Sequence, residues 1–476
     1  MDRVKTPSAD ARTSAAPTPD AAAAPEAALA ALLTPEGQAL LAELRDYDPA
    51  QALALATRLR RDHSPELVSA ALAQARLRQR AAAKFGPEDA QRMYFTPNGV
   101  EQSTRRSVAD HRAVRFHAIA AAQQAAQQAA RQAEQPMEQP AEQPAPQPAT
   151  RQTDPPAAPG RADPPTPQRP HTVDLCSGIG GDALALARAG LRVTAVDLDP
   201  AACLAARANA EALLPDPAAL RVVQADVLTY DTGGAHALFL DPARRSTKRG
   251  RIFDPEAYSP PLSFSVAAVR GAGAGAIKIA PGIPHELVPD DFEAEWISDH
   301  GDVKEAVLWH APPGSPHLAP GGRRATLLPS GASLLGRGLP NPDVRPLGRY
   351  LYEPDGAVIR AHLVAEVAED LDGGLIDETI AYVTADGLRP TPYATPYVIT
   401  DQLPFSVKKL KALLREREVG VLTVKKRGSA VEPEELRKKM KLAGRNSATV
   451  FLTRVAGAPT MLVGRPAQGW EHGSAG

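Results

Sequence analysis

Short apolar runs and amphipathic helical stretches alternate through the middle of the chain. The apolar runs predict strands at residues 173–175, 193–197, 221–224, 237–240, 276–279, 294–298, 305–310 and 323–328. Apolar positions at helical spacing predict helices at 182–189 and 200–213, between the first three strands. This alternation predicts an α/β fold built on a doubly wound parallel sheet.

The regions on either side follow different patterns. Leucines recur at helical spacing from residue 29 to about 117, and Thr34-Pro and Ser64-Pro each place a proline directly after a cap residue. Residues 350–456 mix short strands with basic helices, which predicts a small α+β domain. The predicted organisation is a disordered tail (1–28), a helical domain (29–117), a low-complexity linker (118–170), the α/β domain (171–330), a second linker (331–349), the small domain (350–456) and a loose tail (457–476).

The composition favours a globular protein of the cytoplasm. Hydrophobic residues make up 43% of the 476 positions, and 54 basic residues nearly balance 55 acidic ones, so any nucleic-acid affinity must be local. Two cysteines, Cys176 and Cys203, are too few for a disulfide framework or a zinc cluster. The sequence has no signal-peptide pattern and no apolar run of membrane-spanning length. We therefore expect a cytoplasmic protein without a membrane partner or a bound metal.

A glycine turn follows the first predicted strand, in the sequence Val-Asp-Leu-Cys-Ser-Gly-Ile-Gly-Gly-Asp that ends at Asp182. Glycines at a helix N-terminus let a ligand approach the backbone, and Asp197 at the end of the next strand suits a ribose diol. Asp174 would repel a pyrophosphate, but it suits a ligand that carries an ammonium group. Adenosine joined to an amino acid is S-adenosylmethionine, which we predict as the cofactor. The same features argue against a nicotinamide-dependent dehydrogenase.

Further acids lie at the ends of the following strands. Asp199 neighbours Asp197, Asp226 follows the third strand and suits the exocyclic amine of adenine, and Asp241 follows the fourth strand. A single aspartate at such a position is commonly a helix cap or a solvated turn, but four in register after a glycine turn favour a pocket. The predicted cofactor-binding residues are Asp174, Cys176, Gly178, Gly180, Asp197, Asp199 and Asp226.

The segment Asp241-Pro242-Ala-Arg-Arg bears on the reaction. Methyl transfer from a sulfonium depends mainly on positioning. Asp241 would accept a hydrogen bond from an exocyclic amine and so direct the nitrogen lone pair towards the methyl group, while Pro242 stiffens the loop. Amine-directed methyltransferases commonly carry an aromatic residue in this segment, and here Ala243 and Arg244 stand in its place. The predicted catalytic residues are Asp241, Pro242 and Arg244.

Basic and aromatic side chains follow this segment. Arg245 belongs to a basic group that suits phosphates, and Tyr258 and Phe264 suit stacking on an extruded base. A solvated basic loop and ring packing under that loop are the plainer interpretations of the same pattern. Lys278 lies in an apolar strand and needs a charged partner, so the sequence favours a structural ion pair over catalysis.

The basic excess of the chain is concentrated near its C-terminus. Residues 401–456 hold 14 Lys and Arg against 6 Asp and Glu, a balance of +8. One cluster follows a predicted strand, and a second lies on the helix that contains residues 437–441. A basic loop beside a basic helix favours an RNA backbone clamp, and the alternative is an ordinary charged surface. The predicted substrate-binding residues are Arg245, Tyr258, Phe264, Lys425, Lys426 and Arg427.

Several segments resemble a bacterial family of class I S-adenosylmethionine-dependent methyltransferases with a C-terminal THUMP-like domain. The matching segments are residues 94–102 (Tyr-Phe-Thr-Pro-Asn-Gly-Val-Glu-Gln), 174–182, 241–245, 253–264, 352–360 and 422–428. The resemblance implies a Rossmann-like class I methyltransferase fold, S-adenosylmethionine as cofactor, and tRNA or rRNA as substrate. The glycine turn is also similar to that of the RNA cap trimethylguanosine synthases, which methylate a guanine amine.

The leading hypothesis is an S-adenosylmethionine-dependent methyltransferase that modifies a base in structured RNA, with the exocyclic amine of guanine or adenine favoured. The C-terminal domain would dock the RNA. One alternative is an RNA-binding protein on a methyltransferase fold without turnover, against which the complete set of acids argues. Another is a small-molecule or protein methyltransferase, for which the basic domain would have no purpose. Four arginines near the first linker are candidates to extend an RNA surface, namely Arg105, Arg106, Arg112 and Arg115.

Overall fold

The computed structural model describes residues 19–134, 169–244, 254–315 and 318–467. The chain divides into two compact units, the first within residues 1–109 and 173–231 and the second within 110–172 and 232–476. The helices are α1 (Pro19–Leu32), α2 (Pro35–Glu43), α3 (Ala52–Leu59), α4 (Pro65–Phe85), α5 (Pro87–Arg92), α6 (Pro97–Gln102), α7 (Arg106–Glu134), α8 (Gly181–Arg188), α9 (Pro200–Leu213), α10 (Leu262–Ala272), α11 (Gly356–Arg360), α12 (Val364–Asp370), α13 (Val407–Glu416) and α14 (Pro433–Met440). The strands are β1 (His171–Leu175), β2 (Arg192–Asp197), β3 (Leu220–Gln224), β4 (Ala237–Leu240), β5 (Ala243–Arg244), β6 (Tyr258–Ser259), β7 (Gly275–Ile279), β8 (Glu293–Asp299), β9 (Asp302–His310), β10 (Arg323–Leu328), β11 (Ala332–Leu335), β12 (Tyr350–Pro354), β13 (Gly374–Asp377), β14 (Ile380–Ala385), β15 (Ala394–Pro404), β16 (Val419–Lys426), β17 (Asn446–Val455) and β18 (Ala458–Pro466).

The N-terminal helices of the first unit begin at the cap residues that the sequence indicates. Thr34 Oγ1 accepts a hydrogen bond from the Gly37 N–H (3.1 Å) at the start of α2, and Ser64 Oγ accepts one from Leu67 (3.2 Å) at the start of α4. These oxygens satisfy N–H groups that have no partner inside the helix. The long helix α4 contacts α1, α2, α3, α5 and α6, so it forms the centre of the helical region.

Three strands of the first unit run in the order β1-β2-β3. Strands β2 and β3 are parallel, with Val193 opposite Leu220 and Asp197 opposite Gln224. Helix α8 follows β1 and α9 follows β2, as the alternating pattern predicts. The carboxyl ends of parallel strands lie at one edge of a sheet, which is where doubly wound proteins bind ligands.

The first sheet of the second unit has the strand order β11-β10-β8-β9-β7-β4. Strand β4 is parallel to β7 and β8 is parallel to β10, whereas β9 is antiparallel to both of its neighbours. The sequence predicts a parallel sheet, whereas this part is mixed. The reason is the tight connection between β8 and β9, where His300 and Gly301 both have positive φ (53° and 80°). A two-residue turn of this kind joins antiparallel strands.

The second sheet of this unit has the order β13-β14-β12-β15-β18-β17-β16. Alternate residues of β17 and β18 point to opposite faces, so each strand contributes to two cores. On one face, Val450, Leu452, Met461 and Val463 pack with Leu410, Leu414, Leu436 and Met440 of α13 and α14. On the other face, Phe451 and Leu462 pack with Leu351, Ile376, Tyr382 and Tyr397. The two basic helices therefore cover one side of the C-terminal sheet.

Four predicted boundaries differ from the structure. Helix α1 begins at Pro19 inside the predicted tail 1–28, and α7 continues to Glu134 inside the predicted linker 118–170. Strand β11 lies within the predicted linker 331–349, and β18 lies within the predicted tail 457–476.

Burial and helix propensity explain these differences. Alanine and glutamine favour helix, and Ile119 and Ala120 of α7 are buried. Strand β18 lies between β15 and β17, so it is an interior strand of the sheet. Residues 1–18, 135–168 and 468–476 of the predicted tails and linker fall outside the described residues.

Helix α7 is held to its surroundings by ion pairs. Arg112 lies 2.6 Å from Glu305 and is only 2% exposed, and Arg115 Nη1 lies 2.6 Å from Glu295. Arg106 pairs with Asp89 (3.1 Å). The expectation that these arginines extend an RNA surface is therefore wrong for Arg112 and Arg115, which are used internally. Among the described helices, neither α7 nor any other has the length and apolar composition needed to cross a membrane.

Candidate functional site

The glycine turn between β1 and α8 adopts left-handed backbone conformations. Cys176, Gly178 and Gly180 have φ values of 62°, 55° and 82°. A Cβ added to Gly178 would meet no atom within 4 Å, so the backbone there borders open space. A Cβ added to Gly180 would lie 3.1 Å from Ala206 Cβ, because α8 approaches α9 closely. Gly178 thus leaves room for a ligand, and Gly180 allows the helix packing.

Asp197 ends β2 and reaches back to this turn. Its Oδ2 accepts a hydrogen bond from the Gly178 N–H (2.8 Å), and its Oδ1 accepts one from the Asp199 N–H (2.9 Å). Burial raises the pKa of Asp197 above its usual value, while the hydrogen bonds from Asp199 and Gly178 oppose that rise. Each carboxylate oxygen can accept more than one hydrogen bond. The arrangement therefore suits a pair of vicinal hydroxyl groups as additional donors.

The other predicted cofactor residues of the first unit differ in environment. Asp174 on β1 is 0% exposed. Ser177 Oγ is buried and has no hydrogen-bond partner among the described residues. Asp199 caps α9 by accepting from Ala201 (2.9 Å), and Asp226 is exposed and accepts from the Leu228 N–H (3.0 Å). A buried acid in the strand before the turn, together with an unsatisfied hydroxyl and an open glycine backbone on the turn, fits S-adenosylmethionine, which carries an ammonium group and a ribose.

The thiol of Cys203, on helix α9, is unsuited to nucleophilic chemistry. Burial, with Asp197 close by, raises the pKa of Cys203 to about 11, so the thiol stays protonated at neutral pH. Its Sγ contacts the backbone oxygen of Asp197 (3.4 Å), which is a packing role.

No functional role is predicted from the sequence for Asn209, although it contacts the turn. This residue lies in the alanine-rich helix α9 and is 0% exposed. Its Nδ2 donates to the carbonyl oxygens of Ile179 (2.9 Å) and Tyr94 (3.1 Å), and its Oδ1 accepts from the Tyr94 N–H (2.6 Å). Asparagine is unfavourable inside a helix, so its presence among alanines is the one sequence signal that points to a role.

In the second unit, the predicted catalytic acid has a specific partner. Asp241 follows β4, and its Oδ2 accepts a hydrogen bond from Lys278 Nζ at 2.6 Å. The parallel register of β4 with β7 places Leu240 opposite Ile277, which brings the next residue of each strand together. Lys278 thus makes the ion pair that the sequence favours, and its partner is the candidate catalytic residue.

The remaining residues around Asp241 have mixed environments. Pro242 is buried, and the backbone of Arg244 in β5 pairs with Tyr258 in β6. Tyr258 is 5% exposed, so packing explains its ring better than stacking on a base. Phe264 on α10 is half-buried. Arg245 lies outside the described residues.

The three predicted basic residues after β16 have acidic neighbours. Lys425 forms an ion pair with Glu353; burial lowers the pKa of Lys425, but Glu353 outweighs this, so the net pKa is raised. Arg427 lies 4.0 Å from Glu353 and over the ring of Tyr382, 5.0 Å from its centroid. Lys426 pairs with Glu432 (2.5 Å). Lys425 and Arg427 therefore contribute to internal packing as well as to the basic charge.

The exposed basic surface lies instead on the two helices that cover the C-terminal sheet. Each helix buries two apolar residues and presents its charged residues to solvent. Three glutamates are exposed on these helices, and the exposed basic residues are Lys408, Lys409 and Arg415 on α13 and Arg437, Lys438 and Lys439 on α14. We call these six residues the basic helix face. Such a face suits a polyanionic partner.

The glycine turn, the acid Asp197 that accepts a hydrogen bond from it, and the α/β sheets are typical of an α/β enzyme that binds a nucleoside cofactor. Comparison with known proteins agrees. An S-adenosylmethionine-dependent methyltransferase of Mycobacterium tuberculosis (strain ATCC 25618 / H37Rv), described as uncharacterized, is 35% identical over 290 residues, which cover 59% of this chain and 76% of that protein. The protein of strain CDC 1551 / Oshkosh matches equally.

Family and fold comparisons add to this. Residues 394–466 match the THUMP domain-like family, and residues 26–81 match a domain of unknown function, DUF8688. A crystal structure assigned as a methyltransferase from Porphyromonas gingivalis W83 shares the fold with a TM-score of 0.62 at 18% identity, covering 89% of this chain and 100% of that one. The chain belongs to the S-adenosylmethionine-dependent methyltransferases and carries a C-terminal THUMP-like domain. Its cofactor is S-adenosylmethionine, as the sequence predicts.

Proposed function

We propose that the protein methylates an exocyclic amine of a base in structured RNA, guanine or adenine, and that its THUMP-like domain docks the RNA. The observation that carries the proposal is the basic helix face, because a chain with a formal net charge of −1 concentrates exposed lysines and arginines on one domain. A small-molecule substrate would gain little from such a surface. An RNA backbone would gain a set of phosphate contacts.

We assign the cofactor site to the first unit. Asp197 would accept hydrogen bonds from the ribose hydroxyls, Asp174 would face the ammonium group, and Asp226 would accept from the adenine amine. Gly178 would let the ligand approach the backbone, since its missing Cβ points to open space. When bound, the cofactor supplies an electrophilic methyl group on a sulfonium.

We assign the positioning of the acceptor amine to Asp241. Lys278 engages Oδ2 of this carboxylate, which fixes its orientation and leaves Oδ1 as the oxygen that we assign to the amine. A hydrogen bond from the amine to Oδ1 would turn the nitrogen lone pair towards the methyl group. The methylated nitrogen must lose a proton, and Asp241 is the residue on this chain that we expect to accept it and pass it to water.

Transfer of a tritium-labelled methyl group tests this proposal. Total RNA, total protein and the small-molecule fraction from a strain that lacks the gene are each incubated with the purified enzyme and labelled cofactor. We expect label in RNA, released on nucleoside analysis as an N-methylated guanosine or adenosine, and no label with Asp241→Ala. Label in the protein or small-molecule fraction would instead overturn the RNA assignment, and label in a ring-carbon or ribose product would overturn the amine assignment.

A further inference from the structure

Asn209 connects the glycine turn to the N-terminal helical region. Both hydrogens of its amide are used, one for Ile179 O inside the turn and one for Tyr94 O just before α6. Its oxygen accepts from the Tyr94 N–H, and this pattern of donors and acceptors fixes the orientation of the amide. One buried side chain therefore ties a residue of the turn to a residue from a region that precedes it by 85 positions in sequence.

Two further contacts support the turn from the same side. A Cβ added to Gly99 in α6 would lie 2.5 Å from Ile179 Cγ2, so the glycine allows α6 to rest on the Ile179 side chain. Thr104 Oγ1 donates to Asp182 Oδ2 (3.1 Å), and Asp182 lies in the first turn of α8. The segment from Tyr94 to Thr104, which we call the support segment, thus contacts the middle of the turn at Ile179 and the start of α8 at Asp182.

The turn needs such support because its conformation is costly. Cys176 has a side chain and a φ of 62°, a region that residues other than glycine rarely adopt. A turn that is disordered without ligand must be ordered on binding, and that cost reduces affinity. Contacts that order the turn beforehand therefore increase the affinity for a ligand that rests on it.

We infer that the support segment, through Asn209, holds the glycine turn in the conformation that binds the cofactor. This inference rests on the assignment of the cofactor site made under Proposed function. Asn209 is then a positioning residue, and the support segment is the part of the N-terminal helical region that contributes to the cofactor site. Coupling is reciprocal, so bound cofactor also stabilises the support segment.

The test compares Asn209→Ala with Leu41→Ala in the full-length protein without RNA. Leu41 is buried in α2, whose principal contacts are with α1 and α4, so its truncation destabilises the helical region away from the turn. We expect Asn209→Ala to weaken S-adenosylmethionine binding about tenfold in calorimetry, because only one of its hydrogen bonds, the one to Ile179 O, reaches the turn, and one such bond contributes about 1.4 kcal/mol. We also expect faster amide hydrogen exchange of residues 177–181 without ligand. Leu41→Ala should lower the melting temperature and leave the dissociation constant unchanged.

Other variants keep the inference open to refutation. If Asn209→Ala does not fold, Thr104→Val is a milder change in the same segment, because it removes the hydrogen bond to Asp182 and keeps the size of the side chain, and it should show the same weakening. An Asn209→Ala protein with wild-type affinity and wild-type exchange at 177–181 overturns the inference. Asp197→Ala distinguishes failure of the cofactor-site assignment from failure of the support role. If Asp197→Ala also leaves the affinity unchanged, the cofactor site is misassigned. If Asp197→Ala weakens binding and Asn209→Ala does not, the cofactor site stands and the support role fails.

Discussion

Removal of the Asp197 carboxylate should weaken cofactor binding by a calculable amount. In the structure each oxygen accepts a backbone N–H, from Gly178 at 2.8 Å and from Asp199 at 2.9 Å, and each keeps capacity for a ribose hydroxyl. A hydrogen bond to a charged group contributes about 1.5–3 kcal/mol. Since 1.4 kcal/mol corresponds to about tenfold in affinity, removal of one such bond predicts a weakening of about 10- to 100-fold. The substitution also removes the hydrogen bond that orders the turn at Gly178, which weakens binding further.

Isothermal titration calorimetry of Asp197→Ala with S-adenosylmethionine and S-adenosylhomocysteine measures the effect directly. Asp48→Ala is a matched control, because Asp48 also accepts a backbone hydrogen bond (from Ala50, 2.9 Å) but lies in the N-terminal helical region. We expect the control to bind both ligands with wild-type affinity. A folded Asp197→Ala protein whose dissociation constant stays within twofold of wild type would falsify the assignment of Asp197 to the ribose.

Three further predictions address other parts of the molecule. Lys278→Met should lower kcat with little change in cofactor affinity, because it frees Asp241 to reorient. Lys278→Arg should recover part of the activity. Equal rates for Lys278→Met and wild type in a single-turnover assay would contradict the positioning role of Lys278. Replacement of four lysines of the basic helix face by glutamine (Lys408, Lys409, Lys438 and Lys439) should flatten the salt dependence of RNA binding, with a change of about 1 in slope for each phosphate that is no longer neutralised. Replacement of four exposed arginines of the first unit (Arg60, Arg61, Arg192 and Arg221) should leave the slope unchanged. Equal slopes for the two variants would refute the docking surface. Burial lowers the pKa of both His285 and His362, whose stacked ring centroids are 3.8 Å apart. Below the usual pKa of 6.5 the unfolded chain therefore gains protons that the folded chain does not, and stability falls as the pH falls. The melting temperature should drop less between pH 7.5 and 5.5 in His362→Gln than in wild type, and an equal drop would exclude this pair as the cause.

Much of the fold follows from the sequence because local patterns decide it. Strands β1, β2 and β4 are short and mostly buried, and the caps at Thr34 and Ser64 mark helices by local hydrogen bonds. Strand direction is less accessible, since it depends on which strands meet in space. Strand β9 is antiparallel because of the His300-Gly301 turn, and β18 falls in the predicted tail although it is interior to its sheet.

The candidate site likewise contains residues whose roles the sequence predicts and residues whose contacts it does not. Asp197 is predictable from its position at a strand end, and the structure gives it contacts with the turn that fit the predicted role. The partner of Lys278 does not follow from the sequence, because the two residues are 37 positions apart and meet only through strand pairing. Asn209 escapes prediction for the same reason, since its partners come from two distant segments.

The hydrogen bonds of the glycine turn also explain why it suits this cofactor better than a phosphate. Phosphate-binding turns present free backbone N–H groups to the anion. In this turn the Ser177 N–H donates to Val196 O (3.1 Å), the Gly178 N–H donates to Asp197, and the Gly180 N–H donates to Ser177 O (3.0 Å). These three donors are already used, and the buried acid Asp174 lies only three positions before Ser177 in the sequence. The turn therefore offers little to an anion. What it offers is a close approach to the backbone at Gly178 and the carboxylate of Asp197 beside it. Those features match a ligand with hydroxyl and ammonium donors, which is the chemistry of S-adenosylmethionine.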